Sequence, residues 1–427
     1  MLGFIIFIVL LILMFIGVPI GFAMGISATF MLLFTGTASP VSIATKAVNG
    51  LDSFTIMAIP FFMLASSIMS GTDVSKYIFR FCGSLVRHLR GGFAHVNILL
   101  SMVMAGMSGS SVADVVGTGK MEIDAMADHG YDRDFAAAVT ATSACIAPII
   151  PPSTSAILYG SITGVSIGGL LIAGILPGIL MAICMMILCY FIAKKRNYPL
   201  QPKATKKEIW ESFKQSFFAL MFPVILVGGI MTGWFTATEA ACVATLYAIF
   251  IGAVIYHGLT FKKLFQIFEQ TSEFAASTLF ILGMAAIFGL ILTHNHVPQL
   301  LCDFFLSLSD NKYVLLFLIN VVLIVLGMLM EGNAIYMIMG PILGALALEL
   351  GCNPIHFGAM VIFNLTLGLI TPPVGLCLFL SQKVAGITSK QMIRAILPFI
   401  AIMFVALFII TYVPFFTTFL PHVTMGL

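Results

Sequence analysis

Ser108, Ser110 and Asp114 crowd into Gly106-Met107-Ser108-Gly109-Ser110-Ser111-Val112-Ala113-Asp114, inside a strongly apolar stretch. A carboxylate at the centre of a membrane helix costs about 2.5–3.5 kcal/mol on insertion scales, so an intramembrane acid is functional by default. Three roles are open to Asp114: accepting substrate hydroxyls, carrying a coupling proton, or bracing the local backbone. Ser110 and Ser155 could join it at a substrate. The second chemistry belongs to proline. Ala147-Pro148-Ile149-Ile150-Pro151-Pro152-Ser153-Thr154-Ser155 and Gly368-Leu369-Ile370-Thr371-Pro372-Pro373-Val374 interrupt runs that otherwise read as spans. Each proline removes an N–H donor and clashes with the carbonyl one turn earlier. In a bilayer the freed carbonyls survive only where protein, an ion or a wet cavity satisfies them.

Half-helix ends at mid-membrane also expose dipole charge. N-termini favour an anion, each by roughly 0.3–1 kcal/mol and up to ~2 when partly buried, while C-terminal ends and unwound carbonyls favour Na⁺. A first cation site would use the Ser108 and Ser110 hydroxyls with the carbonyls of Ala147, Ile150 and Pro151. A second would use Gly327, Gly368, Thr371 and Val374, with the Thr371 hydroxyl as its side-chain ligand. Such an all-oxygen set suits a hard cation. The bland alternative is that these hydroxyls and glycines only cap helix ends.

Other chemistries find little support. His294-Asn295-His296 lacks further ligands for a metal. The eight cysteines lie mostly in apolar segments without Cys-x-x-Cys spacing and read as packing residues. No Gly-x-x-x-x-Gly-Lys-Ser/Thr, Ser/His/Asp or His-Glu-x-x-His arrangement occurs in a span, so neither an ATPase nor another enzyme is expected, nor an organic cofactor. Nothing in the composition calls for nucleic acid.

The elements that must position these residues are helices in a lipid bilayer. The chain is 60% hydrophobic and only 9% charged, against about 25% charged in soluble proteins, and apolar runs near span length recur throughout. The first residues lack a basic region and a cleavage site, so they are expected to be a retained span. Residues 2–36 are split by Gly17-Val18-Pro19 into two short helices, with Gly17, Gly21 and Gly25 as a close-packing face. Segments 75–90, 206–218 and 260–274 are basic and amphipathic and read as interfacial helices. Residues 93–107 and 112–127 form a re-entrant hairpin around the serine-rich tip, followed by a helix over 135–164 broken at the prolines. A second pair, 313–330 and 334–349 around Glu331-Gly332-Asn333, precedes the second broken helix, 356–385. The loop 294–312 is poor in Lys and Arg.

Basic residues concentrate in 76–90, 194–214, 262–263 and 383–394, which places these segments in the cytoplasm and both termini outside. The first hairpin then opens inward and the second outward. An ungapped offset of 221 aligns Gly106 with Gly327, Gly119 with Gly340, Gly130 with Gly351, Pro151-Pro152 with Pro372-Pro373 and Pro177 with Pro398. The fold class is therefore an all-α polytopic membrane protein of two inverted-topology repeats, the pattern of a secondary transporter with its site at the midplane. Five parts are expected. Scaffold comprises 1–92, 166–312 (with the cytoplasmic connector) and 387–427, and the two transport halves are 93–165 and 313–386.

The hairpin motif and the two Pro-Pro breaks at this spacing resemble, over essentially the full length, the large membrane subunit of TRAP transporters, the DctM-like tripartite ATP-independent periplasmic family. The resemblance implies Na⁺-driven uptake of organic acids (sialic acid, other sugar acids or C4-dicarboxylates) across the bacterial inner membrane. It implies a periplasmic substrate-binding protein and a separate small four-helix membrane subunit as partners, and an elevator mechanism. A hydroxyl-rich pocket with Asp114 suits a sialic or sugar acid better than a bare dicarboxylate. A stand-alone proton-coupled anion carrier is the alternative.

Overall fold

A computed structural model describes residues 2–36, 39–72 and 74–427. The described chain is helical from end to end. Gly17-Val18-Pro19 separates α1 (Leu2–Phe15) from α2 (Ile20–Phe34), with Gly17 at φ +93°. Next come α3 (Pro40–Asn49), α4 (Ala58–Gly71) and α5 (Val74–Val86). The first hairpin is α6 (Gly92–Ser108), α7 (Ser111–Gly117) and α8 (Gly119–Asp128), and the first broken helix is α9 (Arg133–Ala144) and α10 (Thr154–Thr163). Then follow α11 (Ile167–Ala173), α12 (Ile175–Lys195), α13 (Lys206–Met231), α14 (Ala237–Phe250, extended by a π turn through Ile255), α15 (Phe261–His294) and α16 (Val297–Leu308). The second hairpin is α17 (Lys312–Leu329) and α18 (Gly332–Glu349), the second broken helix α19 (Pro354–Gly368) and α20 (Leu376–Ala385), and α21 (Ser389–Tyr412) and α22 (Phe415–Met425) close the chain. Among the described residues, seven helical segments are long and apolar enough to cross a bilayer, with α11 and α12 counted as one.

The repeat is visible in the helix boundaries. Moved by 221 positions, α6, α7–α8, α9 and α10 land within three residues of the ends of α17, α18, α19 and α20. Both Pro-Pro bonds, Pro151-Pro152 and Pro372-Pro373, are cis. The hairpins open toward opposite faces, and α21 measures this. It is 24 residues long, or roughly 36 Å. At its start, the Ala385 carbonyl accepts from Arg133 beside the base of the first hairpin. At its end, Tyr412 donates to the Tyr313 carbonyl at the base of the second, at 3.1 Å.

Basic residues gather on the face where the first hairpin opens. Arg87 clamps Glu208 through two hydrogen bonds, 2.6 and 2.9 Å, tying α5 to α13. Arg196 reaches Asp132 at 2.7 Å and Asp134 at 3.3 Å, and lies over the Phe135 ring.

Two features differ from the sequence expectation, and a third bears it out. Segments 206–218 and 260–274 are the first turns of α13 and α15, continuous with the spans that follow, because no glycine or proline separates the basic part from the apolar part. The loop 294–312 contains α16. Gly21 and Gly25 meet Phe280 and Met284 of α15, so this glycine face is used inside the subunit.

Two apolar clusters divide the interior. One joins α1, α2, α4, α10, α14, α15, α17 and α18. The other joins α6, α9, α12, the C-terminal part of α19, α20 and α21, through side chains such as Phe135, Met185, Phe363 and Phe399. By packing, α12 and α21, which sequence placed with the scaffold, share a cluster with α9, α20 and part of α6, while α10, most of α19 and both arms of the second hairpin pack in the other cluster.

Candidate functional site at the hairpin tips

Each tip turns where the sequence changes from apolar to small and polar. Gly109 takes a left-handed conformation, φ +61°, as the cap of α6, which costs a glycine nothing sterically. Ser110 caps α7 by accepting from the Ala113 N–H, and Ser153 caps α10 by accepting from the Ala156 N–H. The Ser153 hydroxyl also donates back to the Pro148 carbonyl, closing the first break. At the second tip, Asn333 donates to the Glu331 carboxylate at 3.1 Å.

Tip and break touch in both halves. A Cβ on Gly109 would sit 2.1 Å from the Pro152 carbonyl oxygen, and Thr154 donates to the Gly109 carbonyl at 3.2 Å. A Cβ on Gly368 would fall within 2.5 Å of Gly327 backbone atoms. Only glycine at these positions lets the backbones meet, and backbone carbonyls are thereby brought together in a dry interior.

The four elements enclose a small central cavity of about 40 Å³, lined by Ser110, Ser111, Pro148, Thr154 and Ser155 from the first half and by Glu331, Asn333, Tyr336 and Thr366 from the second. A wider cavity of about 480 Å³ adjoins it, sharing Ser110, Thr154, Glu331 and Asn333 and reaching past Ser66 of α4 to Gln270 and Thr278 of α15. Ser66 donates to the Ser108 carbonyl at 2.9 Å, so the first tip also leans on α4.

The sequence-derived residues fall as follows. Ser110 and Ser155 both line the central cavity. Asp114 does not: it is buried at 4% exposure behind the tip, with Oδ2 lacking a hydrogen-bond partner. Ser108 lines the wider cavity, and its hydroxyl lies beside the Asp114 carboxyl without a well-formed hydrogen bond. No hydrogen bond to the Ala147, Ile150 or Pro151 carbonyl occurs among the described residues. Orphaned oxygens of this kind at one tip fit a hard cation. In the second half, Gly327, Gly368 and Thr371 come together, and the Thr371 hydroxyl donates to the Leu367 carbonyl at 2.7 Å. Val374 is half exposed at the rim of this break. Among the described residues, no three His, Cys, Asp or Glu side chains gather as a metal centre.

Sequence reasoning missed Tyr336 and Thr366. Tyr336 is fully buried, packs edge-on against Tyr159 at 6.3 Å, and lines the cavity. A buried tyrosine in an apolar span was the available signal, because its hydroxyl asks for a partner.

Residues 7–416 match the family model described as tripartite ATP-independent periplasmic transporter, DctM component. The sialic acid TRAP transporter large permease protein SiaM of Vibrio cholerae is 40% identical over 414 residues, covering 97% of both chains. The C4-dicarboxylate TRAP transporter large permease protein DctM of the same organism is 36% identical over 441 residues, covering 98% of this chain and 97% of that one. Among solved structures, the Alcanivorax borkumensis YdaH transporter has a TM-score of 0.64 at 14% identity over 86% of each chain, a likeness of fold.

Proposed function

The chain belongs to the DctM component family of tripartite ATP-independent periplasmic transporters, a multi-pass membrane permease and not an enzyme, and from that premise we propose that it is the large membrane subunit of a Na⁺-coupled importer of organic acids. The central cavity carries the reading: both hairpin tips and both breaks contribute to it, and its polar lining is mostly hydroxyl. Hydroxyls and helix N-termini suit a carboxylate with further hydroxyl groups. The relative named for sialic acid makes a sialic or sugar acid the first substrate to try, ahead of a C4-dicarboxylate.

The coupling ions are cargo. Ser108, Ser110, Ala147, Ile150 and Pro151 would hold one Na⁺; Gly327, Gly368, Thr371 and Val374 a second. Substrate would lie against Ser110 and Ser155, with Asp114 behind them. A periplasmic binding protein delivers substrate, and a small four-helix subunit packs alongside. The basic face lies in the bacterial cytoplasm and both termini in the periplasm. The two tips and broken helices then move as one body in an elevator step, and α12 and α21 pack against α9 and α20 of that body. A stand-alone proton-coupled carrier is the second reading, favoured by the unpartnered Asp114 oxygen.

The deciding experiment reconstitutes the complex with its binding protein and compares N-acetylneuraminate and succinate uptake in Na⁺ and in choline at fixed pH. Na⁺-dependent uptake that needs the binding protein is expected. Uptake indifferent to Na⁺ sinks the coupling, and uptake without the binding protein favours the stand-alone carrier.

A further inference from the structure

A separate cavity of about 440 Å³ opens between α3, α10, α15 and α18, on the face opposite the basic one. Its polar lining is Lys46, Asn49, Ser161 and Thr293, and the rest is aliphatic side chains, glycine and proline. No carboxylate lines it. Lys46 is exposed and has no ion pair or hydrogen bond among the described residues. The Ser161 hydroxyl is buried without a partner. Ser161 stands about 9 Å of helical rise beyond Ser155 on α10, so the cavity lies in line with the central one on its opposite side. The wider cavity has the reverse character: Glu331 lines it and no Lys or Arg does.

A lone cation at the mouth of a cleft with apolar walls focuses field and raises the local concentration of anions. We propose that this cavity is an outer waypoint for a carboxylate-bearing substrate, with Lys46 as its charged group and Asn49, Ser161 and Thr293 as hydrogen-bonding groups. The carboxylate pairs with the Lys46 ammonium after release from the binding protein and before it reaches the hairpin tips. This rests on the reading of the chain as an organic-acid importer.

Two measurements on the full complex test it. In uptake of N-acetylneuraminate at rising concentrations of loaded binding protein, Lys46→Gln should lower the maximal rate roughly ten-fold while leaving half-saturation unchanged, and Lys46→Arg should restore it. An unchanged maximal rate overturns the proposal. A raised half-saturation with a normal maximal rate also overturns it, by making Lys46 a docking contact for the binding protein. Independently of transport, Thr293→Cys in a Cys242→Ser background should react faster with an anionic than with a cationic methanethiosulfonate, and adding Lys46→Gln should lower that ratio several-fold. A ratio insensitive to Lys46 overturns the waypoint. If the wild-type complex takes up no organic acid, the importer reading fails, and the thiol ratio still decides the vestibule.

Discussion

The Cys145 thiol donates to the Thr366 carbonyl at 3.5 Å, and the two residues stand 221 positions apart, one repeat offset. Positions related by a two-fold axis can touch only beside that axis. The axis therefore passes between the C-terminal ends of α9 and α19, next to both Pro-Pro breaks. Thr366 also lines the central cavity, so the cavity sits on the axis, where the inverted halves present like elements from opposite directions. That placement gives a single ligand access to helix ends from both repeats.

The Gly327–Gly368 crossing should tolerate no Cβ. Gly368→Ala places a methyl within 2.5 Å of Gly327 backbone atoms, and overpacking of this kind costs about 1–3 kcal/mol. A clear fall in melting temperature of the purified protein is expected. Gly83→Ala on α5 is the control, because nothing lies within 4 Å of its Cβ position, and it should be neutral or stabilise by up to about 1 kcal/mol. Equal melting temperatures for the two variants would mean the crossing is loose.

Thr371 offers the clearest side chain at the second break. Its hydroxyl hydrogen is engaged by the Leu367 carbonyl, which leaves oxygen lone pairs free for a cation. Thr371→Ala should raise the Na⁺ concentration for half-maximal uptake at least about ten-fold, the scale of a lost bond to a charged group, with normal expression. Ser108→Ala should do the same at the first tip. An unchanged Na⁺ response would reduce both hydroxyls to caps.

How much of this was legible follows residue type. Glycine and proline fix backbone geometry, so Gly106/Gly327 and the two Pro-Pro pairs exposed the repeat, and its helix ends agree to within three residues. Ser110 and Ser155 were found because hydroxyls are costly in an apolar span unless satisfied. Side-chain direction was not legible. Asp114 falls within a turn of Ser110, yet it does not line the cavity that Ser110 lines. Tyr336 and Thr366 reach the cavity only through tertiary packing, as do α12 and α21 in their shared cluster. Continuous α15 was read as two pieces because a change in polarity imitates a helix boundary when no capping residue is required to mark one.

The position of Asp114 separates its possible roles. Removing the charge while keeping the shape, Asp114→Asn, should abolish a pH-gradient response if the carboxyl carries a coupling proton. If it contacts substrate, uptake should instead saturate at a higher substrate level with Na⁺ dependence intact. Its burial behind Ser110 favours a supporting part, in which Ser155→Ala weakens substrate binding by a larger factor than Asp114→Asn. Transport assays of the two variants across pH 6–8, with and without a proton ionophore, would rank these outcomes.

The loop that joins the first hairpin to α9 should respond to acid. The Tyr198 hydroxyl and Arg196 both donate to Asp132 Oδ2 at 2.7 Å. The Tyr198 hydrogen bond foremost, with help from Arg196, holds the Asp132 carboxyl below the ordinary aspartate range. A carboxyl whose folded value is depressed adds stability that is fully present above its unfolded value, near 3.9, and is lost as pH falls through the lowered folded value. Asp132→Asn should therefore melt below wild type at pH 7, and the gap should close as pH drops below about 4. The side chain is more than half exposed, so solvent screens the pair, the gap is small, and high salt should narrow it further. Melting curves of both proteins at pH 7, 5 and 3, each at low and high NaCl, check this. A gap that persists at pH 3 would show that Asp132 acts through packing and not through its charge.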